Sequence, residues 1–118
     1  MVEDDDEVRE LSVNILNGLG YRTLEAVDGE QALALLDDDP DVGLIFTDVV
    51  LPGGMDGPEL VTVARRRRPD VKALFTSGYA EASLVQRISE CGTGALLSKP
   101  FGLHSLARKV REVLNEAA

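Results

Sequence analysis

Three short apolar runs constrain this chain more than any other feature. Residues 42–47 (VGLIFT), 71–76 (VKALFT) and 95–97 (ALL) are short and nearly continuous. Such runs read as strands covered on both faces, because a strand with one wet face would alternate. Around them the apolar spacing becomes helical. Val8, Leu11, Ile15, Leu16 and Leu19 form one stripe, with Gly20 where a helix would stop. Asp28 is placed to cap a second helix carrying Ala32, Leu33, Leu35 and Leu36 up to Pro40. Pro58 suits the first turn of a third, which ends near Arg68 before Pro69. Residues 81–91 make a fourth, closed by Gly92, and Leu103, Leu106, Ala107, Val110, Val113 and Leu114 a last one. Residues 21–27 read as a further short strand, and residues 51–57 (LPGGMDG) as a loop. Strands alternating with helices predict a doubly wound parallel α/β sheet. No linker or repeat interrupts the pattern, so residues 1–118 are expected to be a single domain with no output domain after the last helix.

Charge narrows the function. Twelve Lys and Arg against 21 Asp and Glu give a net charge of −9. That argues against non-specific binding to nucleic-acid backbones, which needs clustered cations. It suits a divalent cation or a basic partner surface. The one cysteine, Cys91, offers no internal disulfide. The N-terminus is acidic where a secretory signal would be basic, and no apolar run approaches the roughly 18 residues of a membrane span. The expected compartment is the cytoplasm, with no membrane partner.

In parallel α/β sheets, ligands bind where strands end. Glu3 and Asp4 follow Val2, Asp48 follows Thr47, Thr76 and Ser77 follow Phe75, and Ser98 and Lys99 follow Leu97. Three acids, a hydroxyl and a lysine are thus expected at one edge. Crowded carboxylates repel, and a hard cation with oxygen ligands relieves them; Mg²⁺ takes one or two carboxylates, waters and phosphate oxygens. The lysine and hydroxyl would hold a phosphoryl group.

Over essentially its whole length the chain resembles the receiver domain of two-component response regulators. The resemblance is carried by VEDD at 2–5, FTDVVLPGGMDGPEL at 46–60, LFTSGYA at 74–80 and LLSKPF at 96–101, in that order and each at a strand end. The wording is also similar to receivers attached to hybrid sensor histidine kinases. The resemblance implies a flavodoxin-like (βα)5 fold of sheet order 2-1-3-4-5. It implies that Asp48 accepts a phosphoryl group from a phosphohistidine on a sensor histidine kinase or a histidine phosphotransfer protein. Asp4 then matches the metal-binding acid, Glu3 its neighbour acting through water, and the Val50 backbone carbonyl a further Mg²⁺ ligand. Thr76 matches the switch hydroxyl, Lys99 the phosphoryl-contacting lysine, and Pro100 the proline after it, typically preceded by a cis bond. Such a domain catalyses only its own phosphorylation and dephosphorylation. A phosphatase acting through an aspartyl-phosphate would want a second acid two residues after Asp48, where Val50 stands.

Two positions depart from the pattern. Leu96 stands where the family usually has Tyr or Phe. Only residues 1–3 are available for a first strand that lies inside the sheet, against the usual 5–6. This truncation predicts self-association or clear destabilisation, and it opens an alternative function: a receiver-shaped interaction module that is poorly phosphorylated. Asp5 and Asp6 are read as first-turn charge of the first helix, and Arg65, Arg66, Arg67 and Arg68 as complements to a helix dipole. His104 is read as an exposed helical residue and Cys91 as an apolar filler. Gly18 and Gly20 follow a helix instead of a strand, which sets aside a dinucleotide fingerprint.

Overall fold

The computed structural model describes residues 1–77, 95–98 and 101–115. In chain order the elements are α1 (Asp6–Gly18), α2 (Gly29–Asp38), β1 (Leu44–Asp48), α3 (Gly57–Arg67), β2 (Lys72–Ser77), β3 (Ala95–Ser98) and α4 (Leu103–Leu114). The three strands form one parallel sheet in the order β1-β2-β3. The apolar runs are continuous because alternate residues enter opposite cores. Ile45, Ala73 and Phe75 pack with α2 and α3 through Leu33, Leu36, Leu60 and Val61. Phe46, Leu74 and Leu97 pack with α1 and α4 through Leu16, Leu106, Val110 and Val113. The result is a three-layer α/β sandwich.

The helices start where capping side chains allow. Asp5 accepts from the Glu7 and Val8 N–H groups, Asp28 from Gln31 and Asp56 from Glu59. Asp5 and Asp6 thus open α1, as expected, and Asp6 also pairs with Arg9 at 2.6 Å. Gly20 takes a positive φ of 94° just past α1, a conformation that suits glycine. Two arginines at the end of α3 reach α2 and the segment after it: Arg67 pairs with Asp37, and Arg68 donates to the carbonyls of Leu36 and Val42. His104 is exposed.

One expected strand is corrected. Residues 21–27 form no ladder; within them only Ala26 makes a bridge, to Val2. The chain that would pair with residues 21–25 is the one that begins at Met1. Residues 1–3 lie between this segment and β1, with Val2 bridging Ala26 on one side and Thr47 on the other, both parallel. Val2 N–H donates to Phe46 C=O at 2.8 Å, Glu3 N–H to Ala26 C=O at 3.0 Å and Ala26 N–H to Met1 C=O at 2.9 Å. The Met1 amino group donates to Leu24 C=O at 2.8 Å. Beside Met1 a cavity of about 350 Å³ is lined by Tyr21, Leu24, Leu44 and Phe46 among others. The predicted helix over 81–91 and Cys91 lie outside the described residues.

Candidate phosphoacceptor and metal site

The acids meet at the carboxyl edge of the sheet. Carboxylate oxygens of Glu3, Asp4 and Asp48 all lie within 4.8 Å of one another. Glu3 is buried, Asp4 exposed and Asp48 half-buried, so the cluster runs from core to solvent. Burying a carboxylate beside two others is costly unless a cation or hydrogen bonds offset the charge. An all-oxygen donor set with one face open to water fits a hard divalent cation such as Mg²⁺.

Two of the three acids are fixed through the backbone. Asp48 ends β1; its N–H donates to Val2 C=O at 3.2 Å, and its register partner across the sheet is Thr76. Glu3 is held by its own N–H on Ala26, and its carbonyl accepts from Arg9 Nη1 at 3.0 Å. Arg9 also bonds Glu25 at 3.3 Å, and these carboxylates, Asp6 foremost, keep its guanidinium firmly charged. Asp4 has no such backbone clamp among the described residues; it sits in the turn between Glu3 and the Asp5 cap.

The loop after Asp48 is equally constrained. Val49 N–H donates to Thr76 C=O at 3.0 Å, and Gly57 N–H to Val49 C=O at 2.9 Å. Val50 is exposed, and its N–H points to Asp48 Oδ1 at 3.4 Å. Gly57 lies so close to this turn that a Cβ there would collide with the Asp48 carbonyl oxygen and reach 3.0 Å from the Val49 Cα. Glycine is needed here for close approach, and its φ is not positive.

Thr76 is fully buried next to the cluster, and its hydroxyl makes no hydrogen bond among the described residues. A buried polar group without a partner costs about 1–3 kcal/mol, so this hydroxyl is a strained feature of the resting site. Leu96 is half-buried against the α2–α3 core. Lys99 and Pro100 lie outside the described residues; β3, which leads to them, ends at Ser98 in register with Ser77.

Arg9 and Gly57 were not singled out from the sequence. Arg9 carried a faint signal, three residues after Asp6 on a helix starting at the acids. Gly57 carried another, a glycine directly before the Pro58 that opens α3. The acids themselves, and Thr76 beside Asp48, stand where strand-end reasoning put them.

The profile of the response regulator receiver domain matches residues 1–111. The sensor kinase CckA of Brucella abortus is 38% identical over 117 residues, 98% of this chain and 12% of that protein. The response regulator receiver protein CpdR of the same organism is 33% identical over 114 residues, 97% of this chain and 93% of its own length. Among solved structures, the chemotaxis protein CheY4 of Vibrio cholerae superposes with a TM-score of 0.89 at 26% identity, covering 95% of this chain and 93% of that one. The chain therefore spans only a small part of the first of these relatives and nearly all of the other two. With an acidic cluster at the carboxyl edge of a flavodoxin-like parallel sheet and a family match over nearly its whole length, this chain belongs to the response regulator receiver domains of two-component signalling.

Proposed function

We propose that the chain takes a phosphoryl group onto Asp48 from a phosphohistidine of a sensor histidine kinase or histidine phosphotransfer protein in the cytoplasm. The observation that carries this reading is the meeting of the Glu3, Asp4 and Asp48 carboxylates within 4.8 Å, with the Thr76 hydroxyl buried at the next strand end. A carboxylate oxygen of Asp48 forms the new bond to phosphorus, and the P–N bond breaks with its electron pair going to the imidazole. Bound Mg²⁺ supplies charge neutralisation for the phosphoryl oxygens. Asp4, Asp48 and the Val50 carbonyl are the proposed protein ligands, with Glu3 acting through water. Lys99 is the proposed cation on the phosphoryl oxygens. Water later cleaves the acyl phosphate, so the domain catalyses only its own phosphorylation and dephosphorylation.

The buried Thr76 hydroxyl supports a switching role. A phosphoryl group at Asp48 adds roughly −1 to −2 charge and strong acceptors beside a donor that has none at rest. Thr76 then gains a hydrogen bond only in the phosphorylated state, which favours one of two conformations. Intact mass after treatment with acetyl phosphate and Mg²⁺ tests the assignment. The expected result is one added phosphoryl group in the parent chain, none in Asp48→Asn, and slower uptake in Lys99→Ala. Full-rate uptake in Asp48→Asn would move the acceptor elsewhere, and no uptake in the parent chain would favour an interaction module.

A further inference from the structure

We infer that Arg9 is a positioning residue of the acidic site: it holds the peptide that joins Glu3 to Asp4, and so aims the Asp4 carboxylate at the cation. The role given to Arg9 rests on the proposed reading of Glu3, Asp4 and Asp48 as a Mg²⁺ site. The three acids are not held alike. Asp48 is anchored by its N–H on Val2 C=O, and Glu3 by its N–H on Ala26 C=O. Asp4 is the exposed member, and among the described residues its own N–H makes no such bond. Its carboxylate nevertheless lies within 4.8 Å of the other two.

A peptide unit is planar, so the Glu3 carbonyl oxygen and the Asp4 nitrogen and Cα move as one body. The Glu3 N–H anchors the chain before that unit, and the Asp5 side chain, which caps α1, anchors it after. Rotation of the Glu3–Asp4 unit between those anchors would tilt the Asp4 side chain. Arg9 Nη1 blocks it by donating to Glu3 C=O at 3.0 Å, in a half-buried bond. The rest of the guanidinium reaches elsewhere, Nη2 to Asp6 at 2.6 Å and Nε to Glu25 at 3.3 Å.

The three partners differ in what they contribute. The side chains of Asp6 and Glu25 are 86% and 52% exposed, whereas that of Arg9 is 16% exposed. Ion pairs with such open acids add little to stability. They do fix the plane of the guanidinium, one from α1 and one from the segment beside residues 1–3. A planar fork held at two corners presents its third donor to one point in space, which a lysine cannot do. The alternative role is electrostatic, a cation that offsets repulsion among the acids. The two roles predict opposite signs. Removing a cation near a metal site strengthens metal binding by Coulomb's law, whereas freeing Asp4 weakens it.

The test is Mg²⁺ titration of the 118-residue chain, followed by amide shifts near residues 4 and 48, with Asp4→Asn as the control for the site. Arg9→Met keeps the apolar stem and loses all three donors, whereas Arg9→Lys keeps the charge and loses the fork. Arg9→Met should weaken Mg²⁺ binding about tenfold, as loss of an outer partner of a metal ligand does, and Arg9→Lys about threefold. In acetyl phosphate uptake, the Mg²⁺ concentration for half-maximal rate should rise by the same factors. The rate at saturating Mg²⁺ should stay within about twofold of the parent's. Urea unfolding in metal-free buffer gives the folded fraction, and if Arg9→Met does not fold, Arg9→Lys carries the comparison. If Asp4→Asn weakens binding while the Arg9 variants bind as tightly as the parent or tighter, the inference is overturned and the metal site stands. If the parent chain does not bind Mg²⁺, or Asp4→Asn binds as well as the parent, the metal reading fails and takes the inference with it.

Discussion

The segment from residue 21 to residue 26 and strand β1 face each other across a gap whose two ends could hardly differ more. At the carboxyl end residues 1–3 bond both walls, and three carboxylates meet there in fixed positions. At the amino end, some residues away, the same walls flank a cavity. Two bridges through Val2 orient Glu3 and the end of β1, and the rest of a strand would add stability to the sheet without touching the acids. Substitutions at the two ends should separate site geometry from fold stability.

The largest effect should come from finishing the strand. Five apolar residues placed before Met1 would pair the Leu24 and Leu44 backbone groups and fill the cavity. At about 1 kcal/mol for each hydrogen bond gained, plus apolar burial, the gain should be roughly 3–5 kcal/mol. Urea unfolding measures it. Phosphorylation of Asp48 should change far less than stability does. A lengthened chain of unchanged stability would mean that residues 1–3 are not the end of an unfinished strand.

At the other end, Gly57→Ala attacks the turn that carries Asp48. A methyl group there meets the Asp48 carbonyl oxygen and the Val49 Cα, backbone atoms that cannot swing away. The strain should cost about 1–3 kcal/mol. Unlike the lengthened chain, this variant should also take up phosphate from acetyl phosphate more slowly, because the Asp48 backbone must shift. Normal uptake with lower stability would show that the side chain is positioned independently of the turn.

Much of this was readable in advance, for a physical reason that also marks the limits. Residues 42–47 and 71–76 are nearly continuous apolar runs because each strand feeds two cores, so their ends, and the polar residues there, are sharply defined. That put Asp48 and Thr76 at strand ends, and the sheet then sets them in register with each other. Residues 21–27 misled for the complementary reason: composition reports that a segment suits a strand, but a ladder also needs a neighbour, and among the described residues only residues 1–3 pair with this one. Gly57 and Arg9 were not found because their roles depend on proximity across the fold. Nothing local in the sequence says that the start of α3 rests on the Asp48 carbonyl, or that Arg9 reaches back to Glu3.

A smaller effect distinguishes the ends by pH. The Met1 amine donates to Leu24 C=O at the mouth of the cavity, and burial pushes its pKa from 8.0 down to about 6, with Glu25 opposing. Between those values the unfolded chain carries a proton that the folded chain lacks. Stability is then full above pH 8, falls as the pH drops towards 6, and levels off below it. The swing should be roughly 2 kcal/mol. Urea unfolding at pH 8 and pH 6, in metal-free buffer, should show it, and the lengthened chain should not, since it has an amide in place of the amine. An identical slope in both chains would assign the titration to another group.

The smallest stability change should be the most informative about the site. Thr76 is fully buried and its hydroxyl has no partner among the described residues, so a desolvated donor lies beside Asp48. Thr76→Val keeps the shape and removes that hydroxyl. In an ordinary hydrogen-bonded position this exchange destabilises; here it should leave stability equal or raise it by about 1 kcal/mol. Thr76→Ala also removes a methyl group from a packed core and should instead be destabilising. If the hydroxyl is held in reserve for a phosphoryl oxygen, Thr76→Val should still take up phosphate at Asp48. The amide shifts that follow uptake along β2 and its neighbours should then shrink, because the new hydrogen bond cannot form. A Thr76→Val chain less stable than the parent would mean that the hydroxyl already has a partner at rest. Full-sized shifts on phosphorylation would mean that the signal leaves Asp48 by another route.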